Sequence, residues 1–281
     1  MIREDFKMRH CRVKSVKTNE VAVSEAIGFI IIFGIIIAGI GLVTLYGYPM
    51  LLQQQSSSDE QIMEKNMIVL QNDLKSLAYK TVPYKETSLK VGGGSMVVYN
   101  MSYEAVTGES SANFSIYDND GTIASPANPI KFYPGDLRYE STSAQTGMSL
   151  ENGAVVKRMF AQEGSTMLAE PRWFYDSQTK TGVIYLIGFN TTDAMSRTGI
   201  GTVKMALGET NSTEYDLSSS PGDRVYVLYG PGTNANYETA WDNYFKNTLK
   251  LNGPDASGAY TFPGDMEKLV INKYEIIIKS V

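Results

Sequence analysis

From Ala26 to Leu52 the chain has no charged side chain, and no charge appears anywhere between Glu25 and Asp59. The run is rich in Ile, Leu, Phe and Gly. A bilayer core of about 30 Å is crossed by roughly 20 apolar residues in helix. Inside lipid every backbone polar group has to be paired within the segment, so a single crossing has to be helical. The chain is therefore expected to be held in a membrane near its N-terminus.

Charge sets the expected orientation. Residues 1–20 hold Arg3, Lys7, Arg9, Arg12, Lys14 and Lys17 against Glu4, Asp5 and Glu20, a net of +3. The rest of the 281-residue chain has 19 basic and 27 acidic residues, a net of −8. Basic flanks stay cytoplasmic, which puts residues 1–20 inside and the last ~230 residues outside. An acidic exterior without a basic cluster argues against nucleic acid as a partner. The apolar run is too long for a signal h-region and no small-x-small pattern closes it, so a retained anchor is expected.

His10 and Cys11 are the only histidine and cysteine, and both fall in the basic leader. The exported part is thus left without a Ser-His-Asp or Cys-His centre, a His/Cys zinc site or a disulfide. Cys11 reads as an ordinary leader residue, with palmitoylation the lesser alternative.

The junction ahead of the apolar run reads Val21-Ala22-Val23-Ser24-Glu25-Ala26-Ile27-Gly28. Over residues 12–50 the order of basic leader, short polar junction, Ile-Gly and Ile-rich helix resembles the start of archaeal type IV pilins with a class III signal peptide. The resemblance implies a prepilin-type peptidase cutting on the cytoplasmic side, after Glu20 or Val21. The apolar helix would then remain and pack with like subunits or other pilins in a filament. Two residues depart from the pattern: Glu20 stands where such proteins more often carry Gly or another small residue, and Glu25 replaces the archaeal Pro. If the cut follows Glu20, Glu25 becomes the fifth mature residue, where bacterial type IV pilins carry a glutamate thought to meet a neighbour's new amine. A carboxylate at the edge of hydrocarbon is costly unless paired. The alternative is that Glu25 sits in the first helical turn, favoured by the macrodipole, and stays in the headgroup layer.

Gly34, Ala38 and Gly41 fall at i, i+4 and i+7 and share one helix face. Small residues on one stripe let helices approach closely; Gly is also simply frequent in membrane helices. Tyr46 and Tyr48 suit an interfacial belt, and Pro49 is expected to kink the helix. After Gln53–Ser58, the spacing of Met63, Met67, Leu70, Leu74, Leu77 and Thr81, widened by Ile62 and Val69, predicts an amphipathic helix over 59–80. Ser58 and Gln61 offer a capping-box start and Pro83 a stop; the Gln/Ser run either breaks the two helices or joins them. The stripe is expected on the chain's own sheet rather than on neighbouring copies.

From Thr87 the apolar period shortens to two. Strands are expected at 96–99, 113–117, 130–133, 183–189, 202–207, 224–229 and 270–278, with one helix over 237–251. Gly92-Gly93-Gly94 and Asp118–Gly121 read as turns. The expected fold class is α+β: a long N-terminal transmembrane and amphipathic helix, then a mainly antiparallel, β-sandwich-like extracellular domain with one additional helix. The expected boundaries are a leader at 1–20, an assembly helix at 21–52, a stalk at 53–83 and a β-rich domain at 84–281.

Asp118-x-Asp120-Gly121 lacks the later ligands of an EF-hand and reads as a hairpin turn. Asp136, Asp176, Asp193, Glu209 and Asp223 show no spacing of a catalytic carboxylate pair. No catalytic residue, metal site or cofactor is assigned. Four N-glycosylation sequons begin at Asn100, Asn113, Asn190 and Asn211. Asn211, read as lying in a polar loop, is the most open; Asn113 starts a strand. The sequence thus points to a structural subunit of a surface filament, found in the cell membrane or in an extracellular filament. The alternative is an uncleaved single-pass surface protein presenting a binding domain, and a carboxylate-only enzyme ranks last.

Overall fold

The computed structural model describes residues 19–80, 82–101, 112–218, 224–233 and 236–281. The chain divides between Gln54 and Gln55 into two units. The expected leader and Thr81 lie outside the described residues.

The first unit is helical. α1 covers Asn19–Leu42, a π-turn follows at Val43–Gly47, and α2 begins at Tyr48. From Ile27 to Leu52 large apolar side chains point outward at every helical phase, so there is no polar stripe to face water. Pro49 does disturb the helix, but one turn ahead of itself. It has no N–H, and its ring crowds the carbonyl four residues back, at Leu45. The backbone relieves this by widening, and the Tyr48 N–H reaches the carbonyl of Val43.

The second unit takes the rest of α2, to Lys80, and the strands. In chain order these are β1 (Tyr84–Tyr99), β2 (Asn113–Asp118), β3 (Ile130–Phe132), β4 (Asp136–Ser141), β5 (Thr146–Glu151), β6 (Ala154–Met159) and β7 (Ser165–Ala169). There follow β8 (Phe174–Asp176), β9 (Thr181–Asn190), β10 (Met195–Asp216), β11 (Val225–Gly230), β12 (Tyr260–Thr261) and β13 (Lys268–Ser280). A short α3 (Glu238–Asn243) runs into a π-turn at Tyr244–Thr248. One sheet has nine strands, ordered β7-β6-β5-β4-β1-β10-β13-β9-β8, and a second has four, ordered β12-β11-β2-β3. Every pairing is antiparallel except β9 with β13. This is the expected α+β, sandwich-like architecture.

β5 and most of β9 in the large sheet are buried on both faces, and strand alternation assigns their side chains and those of their neighbours. Val155, Ile187, Phe189 and Ile276 point to a core shared with α2. Ala154, Val156, Leu186 and Leu269 point the other way, into a core closed by the small sheet, Trp241 and Phe245. The α2 stripe of Met63, Met67, Leu70, Leu74 and Leu77 is fully buried against its own sheet. Ile62 and Val69 do not widen it: they are 39% and 47% exposed, and Gln71 and Ala78 flank the stripe instead. The Gln53–Ser58 run is helical, so Ser58 and Gln61 do not begin a helix. Continuity is compatible with polar residues there because the sheet begins to cover the helix only beyond them.

Ion pairs and one buried amide fasten α2 to the sheet. Lys157 Nζ lies 2.7 Å from Glu60 and 2.6 Å from Glu64. Gln71 Nε2 donates to the carbonyls of Gly153 (2.8 Å) and Glu170 (2.9 Å). Gly92–Gly94 is not a hairpin turn. It lies inside β1, where the register slips between Val91 and Met96, because close packing rather than chain reversal requires glycine there. A Cβ on Gly92 would stand 2.5 Å from Asp59 Oδ1, and one on Gly94 would strike the Glu140 carbonyl. Tyr139 and Ser141 hydroxyls donate to the freed carbonyls of Gly92 and Gly93, each at 2.6 Å.

Candidate functional site

The residues expected to carry assembly all lie on the apolar helix, which is open all round, with Glu25 on the side opposite the Gly34, Ala38 and Gly41 stripe. Glu25, Gly34 and Ala38 are exposed and Gly41 is half-buried. A Cβ added to Gly34 or Gly41 would meet nothing within 4 Å. Ile and Phe side chains flank this stripe on both sides, so it forms a shallow groove of the kind a second helix can enter. Glu20 and Val21 lie on the α1 backbone, while the placement of their side chains falls outside the described residues. One helix is long and apolar enough to cross a bilayer.

The four sequons are placed very differently. Glycosylation modifies the Asn side-chain nitrogen, which therefore has to be open. Asn100 Nδ2 donates to Asn190 Oδ1 (3.0 Å) and to the Thr191 carbonyl (3.1 Å). Asn190 Nδ2 in turn donates to Glu275 Oε1. Asn113 is half-buried, and a Cβ on Gly230 would lie 2.7 Å from its Nδ2. Asn211 is exposed, but it lies within β10 rather than in a loop. Its polar surroundings mark a stretch of sheet left exposed among the described residues, which one sequence window cannot distinguish from a loop.

The acidic groups resolve into structural roles. Asp118 is buried, and its carboxylate accepts from the N–H groups of Gly121, Ile123 and Ala124. It caps its own loop, as expected of a turn. Asp176 accepts from Gln178 N and Thr179 Oγ1, which lower its pKa. Asp193 and Glu209 are exposed, and Asp223 lies outside the described residues. Among the described residues no group of three His, Cys, Asp or Glu could hold a metal ion.

One buried acid escapes sequence reasoning. Glu151, at the end of β5, is 2% exposed. Its Oε1 accepts from Trp241 Nε1 at 2.6 Å and from the Tyr229 hydroxyl at 3.1 Å. Burial, and then the neighbouring Asp136, push the carboxyl up to about 7, against the pull of the two hydrogen bonds and Arg138. Asp136 is itself held by Arg138 (2.9 Å) and Ser149 (2.7 Å). The Tyr237 hydroxyl is buried without a hydrogen-bond partner among the described residues. Glu151 thus ties the large sheet to β11 and α3. The Asn152-Gly153 pair, both with positive φ, marks the β5–β6 turn in the sequence. Nothing local marks the burial, because the partners come from 78 and 90 residues away.

Fold and site together define an α+β protein in which one uncharged, bilayer-length helix precedes a two-sheet unit covered by the second half of its own helical region. The chain belongs to a family of unknown function, DUF7289, whose model matches residues 22–278. No curated protein and no solved structure matches it.

Proposed function

We propose that this chain is a pilin-like structural subunit of an archaeal type IV filament, anchored in the membrane and then assembled through its N-terminal helix. The observation that carries this is the helix surface from Ile27 to Leu52: uncharged, outward-facing at every phase, and grooved along Gly34, Ala38 and Gly41. A helix apolar all round is stable only in lipid or among other apolar helices. The stripe in the second half of the helical region is used up by the chain's own sheet, which limits assembly contacts to the first half. In this reading a prepilin-type peptidase cuts after Glu20 or Val21 on the cytoplasmic side. Glu25 then sets register by pairing with a neighbour's new amine, and the β-rich unit faces outward, with Asn211 as the most open glycan acceptor. The family match takes in the apolar helix together with the β-rich unit, in keeping with a helix that is retained.

The test is mass spectrometry of the mature N-terminus together with imaging of purified surface filaments. A chain starting at residue 21 or 22 and present in filaments is the expected result. An intact N-terminus at Met1 on a protein that stays solitary in the membrane would instead favour the second reading, a single-pass surface protein displaying its β-rich unit.

A further inference from the structure

A cavity of about 400 Å³ opens where the end of α2 meets β9, β10 and β13, within the range of small-molecule sites, roughly 300–1,000 Å³. Its walls are three tyrosines from three elements. Tyr185 and Tyr274 lie nearly parallel (18°, centroids 6.3 Å apart), and Tyr79 stands edge-on to them at 5.0 and 6.0 Å. The parallel pairing of β9 with β13 sets Tyr185 beside Asn272, so Tyr274, two residues on, shares its face. Thr210 and Ser212 of β10 pair with Tyr274 and Asn272 and line the cavity, together with Asn211, Leu207 and Ala78.

The polar groups here are uncommitted. Among the described residues, the side chains of Tyr79, Tyr185, Tyr274, Ser212 and Asn272 take part in no intramolecular hydrogen bond. Arg172 lies over the Tyr79 and Tyr185 rings, 4.9 and 5.7 Å from their centroids, and forms no ion pair among the described residues. No carboxylate lines the cavity. An exposed arginine stacked on two rings is held in place without being neutralised, because the ring faces attract its charge yet leave its N–H donors free.

We infer that this cavity is a binding site for an acidic saccharide, one carrying a uronic-acid carboxylate. The stacked Tyr185–Tyr274 pair supplies aromatic surface for the apolar C–H face of a pyranose. Asn272, Ser212 and Thr210 supply neutral donors and acceptors for ring hydroxyls, and Arg172 supplies the planar fork that takes a carboxylate in bidentate fashion. A purely apolar ligand would leave these polar groups unpaired on binding, and a cationic one would meet Arg172 with no opposing charge. The inference rests on the unit Gln55–Val281 with Asn211 free of glycan, as in protein expressed without glycosylation, and does not depend on filament assembly, so either can fail without the other.

The experiment is calorimetric titration of the full chain in detergent with trigalacturonate and a hyaluronan tetrasaccharide as acidic probes, and with maltotriose as the neutral one. The acidic probes should bind at least about tenfold more tightly than maltotriose. Arg172→Gln should remove most of that preference while leaving the weak neutral binding in place. Tyr274→Ala should weaken all three probes by about tenfold, with the tryptophan fluorescence of the core unchanged. If Tyr274→Ala fails to fold, Arg172→Gln, at an exposed position, still decides the matter. No binding of either acidic probe up to about 10 mM, the weak end of measurable affinity, or an acidic preference that survives Arg172→Gln, would overturn the inference. Binding of free trigalacturonate but not of the hyaluronan tetrasaccharide would still support the site, and would assign it to free uronate oligomers rather than to uronic acids within a mixed polymer.

Discussion

Replacing Glu151 with Gln isolates the one strongly perturbed carboxyl in the core. The folded protein holds the Glu151 proton until about pH 7, whereas the ordinary value is 4.5. The folded state therefore binds more protons than the unfolded chain between these values. The associated stability is fully present below pH 4.5, falls as pH rises and is gone above about 7. A difference of this size corresponds to about 3 kcal/mol, at roughly 1.4 kcal/mol per pH unit. Gln keeps the acceptor for Trp241 and Tyr229 without a charge to desolvate. The groups packed around this position are Asp136 and Arg138 from β4, Tyr229 from β11, and Tyr237 and Trp241 at α3. Urea unfolding of the full chain in detergent, followed by tryptophan fluorescence at pH 5 and pH 8, measures the effect. Trp173 and Trp241 both lie in the affected core. Asp242 shifts in the same direction and Asp176, Asp216 and Asp255 in the opposite one, so the informative quantity is the difference between the two proteins. Wild type should lose about 2–3 kcal/mol between pH 5 and pH 8 relative to Glu151→Gln, slightly less than the full shift because the loss has begun by pH 5. Parallel pH profiles for the two proteins would refute the reasoning.

Gly34→Leu should leave membrane insertion intact and reduce filament yield, because a Cβ there meets nothing within 4 Å in its own chain while the larger side chain fills the groove a neighbour would enter; unchanged yield counts against the stripe. Leu74→Ala removes a fully buried side chain between α2 and the sheet and should cost about 2–5 kcal/mol by urea unfolding. Gln71→Ala removes the side-chain donor to the Gly153 carbonyl and leaves the Glu170 carbonyl to Lys75 Nζ alone (3.3 Å), and should cost about 1–3 kcal/mol in the same assay. Glycopeptide mass spectrometry of the native protein should find modification at Asn211 and none at Asn100 or Asn190, whose amide nitrogens are occupied; a glycan on Asn190 would contradict that geometry.

Much of the fold was legible because local pattern and burial agreed. The stripe from Met63 to Leu77 is all core, and each expected strand overlaps an observed one, with Tyr133 and Arg224 just outside β3 and β11. The meander β4–β7 was not legible, since polar residues such as Ser149 and Glu151 are fully buried there and interrupt the apolar alternation. β10 runs for 22 residues, far beyond the window seen in sequence, because its outer half is exposed and polar. Asn211 was placed in a loop for that reason. Ile62 and Val69 have the right spacing but fall just past the edge of the sheet that buries their neighbours.

By itself the sequence determined an uncharged helix long enough to cross a bilayer, the change from net basic to net acidic charge on either side of it, the confinement of histidine and cysteine to positions 10 and 11, and the change of period from helix to strand. Each of these depends on residue type and spacing over a few turns of chain. Tertiary structure alone decided that the amphipathic half of the helical region is covered by its own sheet, that Glu151 is a buried acid, and that three tyrosines and an arginine meet around one cavity. Those outcomes join residues many tens of positions apart. Burial and the cost of desolvating charge are set by which surfaces meet, and that is a property of the packed chain rather than of any stretch within it.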